Sequence, residues 1–333
     1  MDGERQPEHR YVSTGDLPRN ELVAALVDEA YERFRANAEG STSDVYPALA
    51  RVRPDLLGLC VVSVDGRTHS AGDADHEFTI MSVAKPFVFA LACEALGIDE
   101  VRNRIGVNAT GLPFNSLAAI ESSADGRTNP MVNPGAIATT SLVPGADTSA
   151  RWQTLETGLS AFAGRKLTLD EDVLASASET NGRNQAAARL LQSLGRLWGD
   201  PAEAVDLYTR QSCLSVTARD LATMGATLAD GGVNPVTGER VIGESVCRHT
   251  LAVMATAGLY DTSGDWLFDV GLPGKSGIGG GIVTVSPGKG ALGTFSPRLD
   301  AAGNSVNGQL AARFLSRELG LDLFASTPVD AAD

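Results

Sequence analysis

The sequence predicts a mixed α/β (α+β) fold in which an antiparallel sheet is flanked by terminal helices and interrupted by an inserted helical lobe. Short apolar runs typical of strands occur at about residues 50–80 and again at about 262–300. The segment between them, about 98–240, has mostly helical spacing. Strands from both ends of a chain form one sheet when the segment between them folds as an insertion. We therefore expect a single domain over residues 18–333, preceded by a disordered segment, 1–17.

The first hundred residues predict two helices and a hairpin. Hydrophobic spacing predicts a helix over 20–35, a strand over 56–64, its partner strand over 76–80 and a helix over 82–97. Asn20 is the expected N-cap of the first helix, since its side chain can accept a hydrogen bond from a free backbone amide. Asp65-Gly66 is a turn signal after the first strand, and Gly97 suits the end of the second helix.

The rest of the chain predicts helices, then strands, then a final helix. Apolar residues recur at helical spacing over 133–142, 151–163, 184–197, 201–208, 216–229 and 244–257. From 264 to 295 the pattern changes to short apolar runs divided by glycines, which predicts antiparallel strands. Residues 308–319 have the spacing of an amphipathic helix. The boundary between sheet and lobe is where a ligand pocket is expected.

The composition argues against several kinds of partner. The 333 residues include 27 basic and 41 acidic ones, a net charge of −14, so nucleic acid and anionic membranes would be repelled. The first residues lack the apolar core of a secretory signal, and no apolar stretch has the length of a membrane span. The four cysteines and four histidines have no metal-ligand spacing. We expect a cytoplasmic protein that acts on a small molecule without a metal or an organic cofactor.

Two lysine motifs indicate the chemistry. In Ser82-Val-Ala-Lys85 one helical turn separates a serine from a lysine, so both side chains lie on the same face. Lys275-Ser-Gly277 follows later, among glycine-rich apolar runs. Together they have the form of the S-x-x-K and K-[ST]-G elements of serine acyl-transfer enzymes. The apolar run after Lys85 predicts a buried amine with a lowered pKa. Alternatively, Ser82 caps a helix and Lys85 is a solvated side chain.

Further motifs extend this pattern along the chain. They are Phe78-Thr-Ile-Met-Ser82-Val-Ala-Lys85, Gly111-Leu-Pro-Phe-Asn115-Ser116, Asn129-Pro-Met-Val-Asn133-Pro-Gly-Ala-Ile137, Arg183-Asn184, Asp206-Leu-Tyr208, Gly258-Leu-Tyr260-Asp-Thr-Ser-Gly264 and Gly271-Leu-Pro-Gly-Lys275-Ser-Gly-Ile-Gly-Gly-Gly-Ile282. With these motifs the chain resembles the serine-dependent glutaminases from about residue 44 to 324. The resemblance implies a β-lactamase/transpeptidase-like fold, hydrolysis of L-glutamine to L-glutamate and ammonia, and a homodimer or homotetramer.

The resemblance also implies a role for each site residue. Ser82 attacks the γ-carboxamide of glutamine, and Lys85, as a neutral amine, is its base. Lys275 supplies a second positive charge, and Tyr260 carries protons beside the nucleophile. The substrate is held by Ser82, Asn133, Asn184, Tyr208, Tyr260 and Ile278, the last through a backbone amide that forms an oxyanion hole with that of Ser82. The alternatives are helix caps for the two asparagines and core packing for the two tyrosines.

One position departs from the family pattern. The family has a glutamate that pairs with the α-ammonium of the substrate, and Ala177 occupies that position here, with Glu179 nearby in sequence. Loss of the carboxylate weakens glutamine binding, because an unpaired buried ammonium is costly. A shifted loop would let Glu179 take its place. Two alternatives stand beside glutaminase activity: a catalytically weak or silent relative that binds an amino acid, and a β-lactamase or DD-peptidase.

Overall fold

The structure, a computed structural model, describes residues 17–325. Within this range the chain forms thirteen α-helices and eight strands. The helices are α1 (Asn20–Phe34), α2 (Ala84–Leu96), α3 (Ile98–Ile105), α4 (Ala118–Glu121), α5 (Asn133–Ser141), α6 (Thr148–Ala163), α7 (Glu171–Glu179), α8 (Gly182–Ser193), α9 (Pro201–Ser212), α10 (Ala218–Ala229), α11 (Glu244–Ala257), α12 (Ser263–Val270) and α13 (Val306–Glu318). The strands are β1 (Gly58–Ser63), β2 (Thr68–Gly72), β3 (Phe78–Thr79), β4 (Thr168–Leu169), β5 (Leu214–Val216), β6 (Gly274–Ser276), β7 (Gly281–Ser286) and β8 (Gly290–Phe295). Short 3-10 turns are formed by Leu49–Arg51, Met81–Val83 and Tyr260–Thr262.

Both ends of the chain contribute to one antiparallel sheet of five strands, in the order β2-β1-β8-β7-β6. Strand β1 pairs with β8 along its whole length, from Gly58 opposite Phe295 to Ser63 opposite Gly290. The segment between these strands is largely helical and includes a smaller sheet in the order β3-β5-β4. The predicted architecture, an antiparallel sheet with terminal helices and an inserted helical lobe, is confirmed.

Helices cover both faces of the large sheet. On one face α10 packs so closely that a Cβ added to Gly293 of β8 would lie 2.0 Å from the carbonyl oxygen of Ala218. On the other face α1, α12 and α13 form an apolar layer, in which the rings of Phe34 and Phe314 meet edge to face at 6.2 Å. The turn Met81–Val83 contacts both β6 and α9, which brings the predicted nucleophile to the boundary between sheet and lobe.

The predicted partner of the first strand is wrong. Strand β1 pairs with β2, Thr68–Gly72, whereas the only strand within 76–80 is Phe78–Thr79, which pairs with β5. The turn at Asp65-Gly66 returns the chain directly alongside β1, so the next residues form the hairpin. Strand β2 is a mostly polar edge strand, and hydrophobic spacing therefore gives no signal for it.

Two further local predictions are corrected. Asn20 does not cap α1, because Arg19 is at the N-cap and the Asn20 Oδ1 lies 2.7 Å from His69 Nε2 on β2. The start of the predicted strand region, 264–295, is the helix α12. This helix buries Trp266 and Val270, one turn apart, a spacing that the neighbouring glycines obscured.

The predicted bounds of the domain stay a prediction. The predicted disordered segment, 1–17, lies outside the described residues except for Leu17. Of the helices found in residues 17–325, none combines the length and the apolar character needed to cross a bilayer.

Candidate active site

The predicted nucleophile and its lysine lie where α2 begins. Ser82 is in the turn Met81–Val83, and Lys85 is in the first turn of the helix. As the spacing predicts, Lys85 Nζ is hydrogen-bonded to Ser82 Oγ at 3.1 Å. Because α2 is largely apolar and runs through the core, Lys85 is only 2% exposed. The alternative in which Lys85 is a solvated surface side chain is wrong.

Two residues at the site have a left-handed backbone. Met81 has φ 48° and Tyr260 has φ 53°, and they are the only non-glycine residues with positive φ within residues 17–325. Such conformations cost roughly 1–3 kcal/mol each and persist where the surrounding structure holds them. Met81 directly precedes Ser82, so part of the folding free energy is spent on the backbone that presents the nucleophile.

Asn133 links the lysine to the predicted substrate-binding side chains. Its Oδ1 accepts hydrogen bonds from Lys85 Nζ at 2.7 Å and from the Tyr208 hydroxyl at 3.0 Å. Its Nδ2 donates to Asn184 Oδ1 at 3.2 Å, and Asn184 Nδ2 donates to Asn181 Oδ1 at 2.7 Å. The side chains of Asn133 and Asn184 therefore form a network inside the site and do not cap their helices.

Tyr260 and Lys275 approach Ser82 from the sheet side. The Tyr260 hydroxyl lies near Ser82 and donates to the carbonyl oxygen of Ser276 at 3.3 Å. Lys275 on β6 is fully buried and donates to the carbonyl oxygens of Gly258 at 2.8 Å and Ser276 at 2.6 Å. Its Nζ lies 4.3 Å from the centroid of the Tyr260 ring. The buried Lys275 side chain therefore packs on the Tyr260 ring and restricts where the tyrosine can lie beside the nucleophile.

Burial shifts the pKa of four side chains around the nucleophile: Lys85, Lys275, Tyr260 and Tyr208. Loss of solvation lowers the pKa of Lys85 to about 7. It lowers the pKa of Lys275 well below its usual value, and the charge of Lys85 adds to that effect. Burial raises the pKa of Tyr260 to about 12 and that of Tyr208 well above its usual value. Both tyrosines are thus neutral donors at pH 7. A positive charge on Lys275 stays a prediction, and its burial works against it.

Two backbone amides at the site are free to donate. Within residues 17–325 neither Ser82 nor Ile278 donates its backbone N–H to a protein acceptor. Their segments approach closely at Gly277, where an added Cβ would lie 3.2 Å from Ser82 N and 3.0 Å from the Ile80 carbonyl oxygen. Free amides in this position have the chemistry of an oxyanion hole.

A cavity of about 220 Å³ opens beside Ser82. It is lined by Val45, Tyr46, Met81, Ser82, Phe114, Asn115, Asn133, Ala177, Thr180, Asn181, Arg183, Asn184, Tyr208, Thr209, Ser212, Cys213 and Ile278. All the predicted substrate-binding residues line it except Tyr260. Ala177 is buried in the wall, whereas Glu179 is exposed and outside it, so Glu179 does not take the place of the family glutamate.

Sequence reasoning missed several wall residues. Phe114 packs on Tyr260, with ring centroids 4.5 Å apart, and covers that side of the site. Asn181 supports Asn184 and donates in turn to Thr209 Oγ1 at 2.6 Å. These positions carry no spacing signal, because α8, α9 and the loop before α4 meet only in the folded chain. In the described part of the chain, no group of three or more His, Cys, Asp or Glu side chains is placed to hold a metal ion.

Comparison with known families identifies the chain. A family model described as Glutaminase matches residues 40–324. The chain belongs to the glutaminase family. A protein named Glutaminase 2 from Yersinia pestis is 65% identical over 318 residues, which cover 96% of this chain and 94% of that protein. A glutaminase from Colwellia psychrerythraea is 45% identical over 307 residues, which cover 92% of this chain and 99% of that protein.

Solved structures of glutaminases have the same fold. The structure of a probable glutaminase, ybaS, matches with a TM-score of 0.91 at 43% identity and covers 92% of this chain and 100% of that one. Bacillus subtilis glutaminase YbgJ matches with a TM-score of 0.82 at 31% identity, over 90% of this chain and 99% of that one. That structure is a covalent complex with 5-oxo-L-norleucine, formed by reaction with 6-diazo-5-oxo-L-norleucine. The predicted β-lactamase/transpeptidase-like fold of the glutaminases is confirmed.

Proposed function

We propose that this protein is a glutaminase that hydrolyses L-glutamine to L-glutamate and ammonia through a covalent serine intermediate. The 3.1 Å contact between Ser82 Oγ and the buried Nζ of Lys85 carries the proposal. An amine with a pKa of about 7 is half neutral at physiological pH and can accept the proton of a serine hydroxyl. The relatives named glutaminase, at 65% and 45% identity, favour this activity over a silent relative or a β-lactamase.

In the first half-reaction, Ser82 Oγ attacks the γ-carboxamide carbon while neutral Lys85 takes the hydroxyl proton. The negative charge that develops on the carboxamide oxygen is stabilised by the backbone amides of Ser82 and Ile278. The proton held by Lys85 passes to the departing nitrogen through the Tyr260 hydroxyl, which lies near Ser82. The carbon–nitrogen bond breaks, ammonia leaves, and the glutamyl group remains as an ester on Ser82.

In the second half-reaction, water replaces ammonia. Lys85, neutral again, takes a proton from water as the water oxygen attacks the ester carbon. The ester bond breaks, Ser82 Oγ regains a proton from Lys85, and L-glutamate is released. One water is consumed and one ammonia is released in each cycle.

The remaining site residues hold the components in place. Asn133, Asn184 and Tyr208 line the cavity and present amide and hydroxyl groups to the amino-acid end of the substrate. Lys275 acts on the reaction by fixing Tyr260 against the nucleophile. Each of these roles is part of the proposal.

Release of ammonia from L-glutamine by the purified full-length protein tests the function. We expect saturable release that falls by a factor of about 10³ or more in Ser82→Ala, because the nucleophile is lost. Ser245→Ala, an exposed serine on α11, is the matched control and should keep wild-type activity. A mass increase of one glutamyl group on wild type, absent from Ser82→Ala, would identify the intermediate. Undiminished turnover in Ser82→Ala would refute the proposal.

Location and assembly belong to the same proposal. We propose a cytoplasmic enzyme on the basis of composition, and a homodimer or homotetramer on the basis of the family resemblance alone. Light scattering of the purified protein distinguishes these states from a 34.6 kDa monomer.

A further inference from the structure

The cavity wall beside Ser82 contains no carboxylate. None of the seventeen residues that line it in the described part of the chain is an aspartate or a glutamate. Arg183 is the only arginine or lysine among them. The other polar groups of the wall are hydroxyls and carboxamides, which carry no charge.

The weak acids of the wall also stay neutral. Burial raises the pKa of Cys213 to about 12 and raises the pKa of Tyr46 above its usual value. Burial likewise raises the pKa of Tyr208 well above its usual value. At neutral pH no lining side chain therefore provides a negative charge to a bound ligand.

Two basic groups lie at the cavity, Lys85 and Arg183. Lys85 lies behind the nucleophile and titrates near neutrality. At the rim, Arg183 donates through Nε to the carbonyl oxygen of Asn115 at 2.7 Å. This bond holds the guanidinium group against the wall, and within residues 17–325 its two terminal nitrogens have no hydrogen-bond partner. A guanidinium in this position suits a carboxylate, which it can bind through two parallel hydrogen bonds.

The two charged ends of L-glutamine meet this wall differently. Its α-carboxylate finds Arg183 and several amide and hydroxyl donors. Its α-ammonium finds neutral acceptors and no counter-ion, and an unpaired charge that leaves water is costly. The wall is therefore complementary to a molecule that has the carboxamide and the carboxylate but lacks the ammonium.

We propose that the site takes, as its best substrates, five-carbon γ-carboxamides that carry a carboxylate but no α-ammonium. Glutaramate, which is L-glutamine without its amino group, is the simplest member of this class. The reaction is that of the proposed function, on which this inference rests: glutaramate and water give glutarate and ammonia, with the same ester on Ser82. Ala177 is the specificity-determining position, because an acidic side chain there would give the wall the carboxylate that it lacks.

The substrate comparison uses wild-type protein and a pair of variants at one position. Ammonia release from glutaramate and from L-glutamine gives kcat/KM for each at pH 7.5, and the ratio of the two is the readout. For wild type we expect a ratio in favour of glutaramate of about tenfold or more, because the ammonium of L-glutamine lacks a counter-ion in the site. Ala177→Glu should reverse the preference, and Ala177→Gln, which has the same size without the charge, should not.

Ala177 is only 1% exposed and packs near Met81 and Cys213, so a larger side chain there can perturb folding. Arg183→Gln, at an exposed position, is the second variant. It should raise KM for glutaramate by about tenfold with kcat changed by less than about threefold, because it removes a ground-state contact with the carboxylate. Circular dichroism of each variant verifies folding.

The outcomes separate this inference from the function on which it rests. A wild-type kcat/KM for L-glutamine that equals or exceeds that for glutaramate would overturn the inference and leave glutaminase activity standing. An unchanged KM for glutaramate in Arg183→Gln would also overturn it. No ammonia from either substrate, or full turnover in Ser82→Ala, would refute the proposed function and the inference with it.

Discussion

The rate of the reaction should follow the protonation of Lys85. Its buried Nζ has a pKa of about 7, whereas an ordinary lysine, with a pKa of about 10.4, has roughly one neutral molecule in 2,500 at pH 7. The shift means that burial disfavours the ammonium form by about 5 kcal/mol. Since the base must be neutral, kcat/KM should be constant above pH 8, fall to half at about pH 7, and then fall about tenfold per pH unit.

Asn133→Asp is the perturbation that tests this account. The carboxylate would replace an amide oxygen that lies 2.7 Å from Lys85 Nζ. An opposite charge at that distance favours the ammonium form and raises the pKa of Lys85 by about 1–3 units. The neutral fraction at pH 7 would then drop from a half to about a tenth or less, and the midpoint of the acid limb would move to pH 8 or above.

The assay is the pH profile of kcat/KM for ammonia release from pH 5 to 9.5. Wild type and Asn133→Asp are measured in the same buffers, so that ionisation of the substrate cancels in their ratio. Asn133 also contributes to the proposed substrate contacts, so its substitution can change the maximal kcat/KM. The readout is therefore the pH at the midpoint of the acid limb. Asn133→Ala removes the same contact without adding a charge, and it should not move the midpoint upward.

The other titratable groups around Lys85 do not mimic this result. Tyr260 and Tyr208 have raised pKa values and stay protonated across the range. Lys275 is coupled to Lys85, so the measured midpoint belongs to the pair. An acid limb that Asn133→Asp leaves in place, or moves to lower pH, would contradict the assignment of Lys85 as the base.

Three further results are expected. Lys275→Met should lower kcat about tenfold or more because Tyr260 loses its anchor, and it should also lower the thermal midpoint, because the carbonyl oxygens of Gly258 and Ser276 lose a buried donor. A wild-type kcat would contradict the anchoring role. Gly293→Ala should lower the free energy of unfolding in urea by about 1–3 kcal/mol, since its Cβ would lie 2.0 Å from the Ala218 carbonyl oxygen. Ala301→Gly, at an exposed position, is the control and should change that free energy little. Lys85→Arg should abolish turnover at every pH between 6 and 9, because a guanidinium does not give up its proton, and turnover that recovers at pH 9 would refute the base mechanism.

The sequence predicts the parts of the site that are local. Ser82 and Lys85 are one helical turn apart, so their contact follows from the geometry of a helix. The apolar residues after Lys85 predict its burial for the same reason. That Tyr260 and Lys275 lie beside this pair does not follow from local geometry. It could be predicted only from the family motifs, which occur in the same order in this chain.

The parts that the sequence does not predict depend on long-range contacts or on polar segments. Strand β2 has little hydrophobic pattern, and its pairing with β1 follows from the turn that precedes it. In the sequence Asn133 resembles a helix cap. In the folded chain its side chain instead forms hydrogen bonds with Tyr208 and Asn184, which lie on other helices. Glu179 is adjacent to the site in sequence and points away from it, since successive residues of a helix face different directions.

The pairing of β1 with β8 sets the order in which this enzyme becomes active. A growing chain contains Ser82 and Lys85 early, but β6–β8, with Lys275, follow only after the whole helical lobe has been made. Closing so long a loop is slow and comes late in folding. Until then Tyr260, Lys275 and the backbone amide of Ile278 are not in place beside Ser82, so the active site is incomplete. Partly folded chains should therefore not hydrolyse amides. The return of activity during refolding should mark the final closure of the sheet.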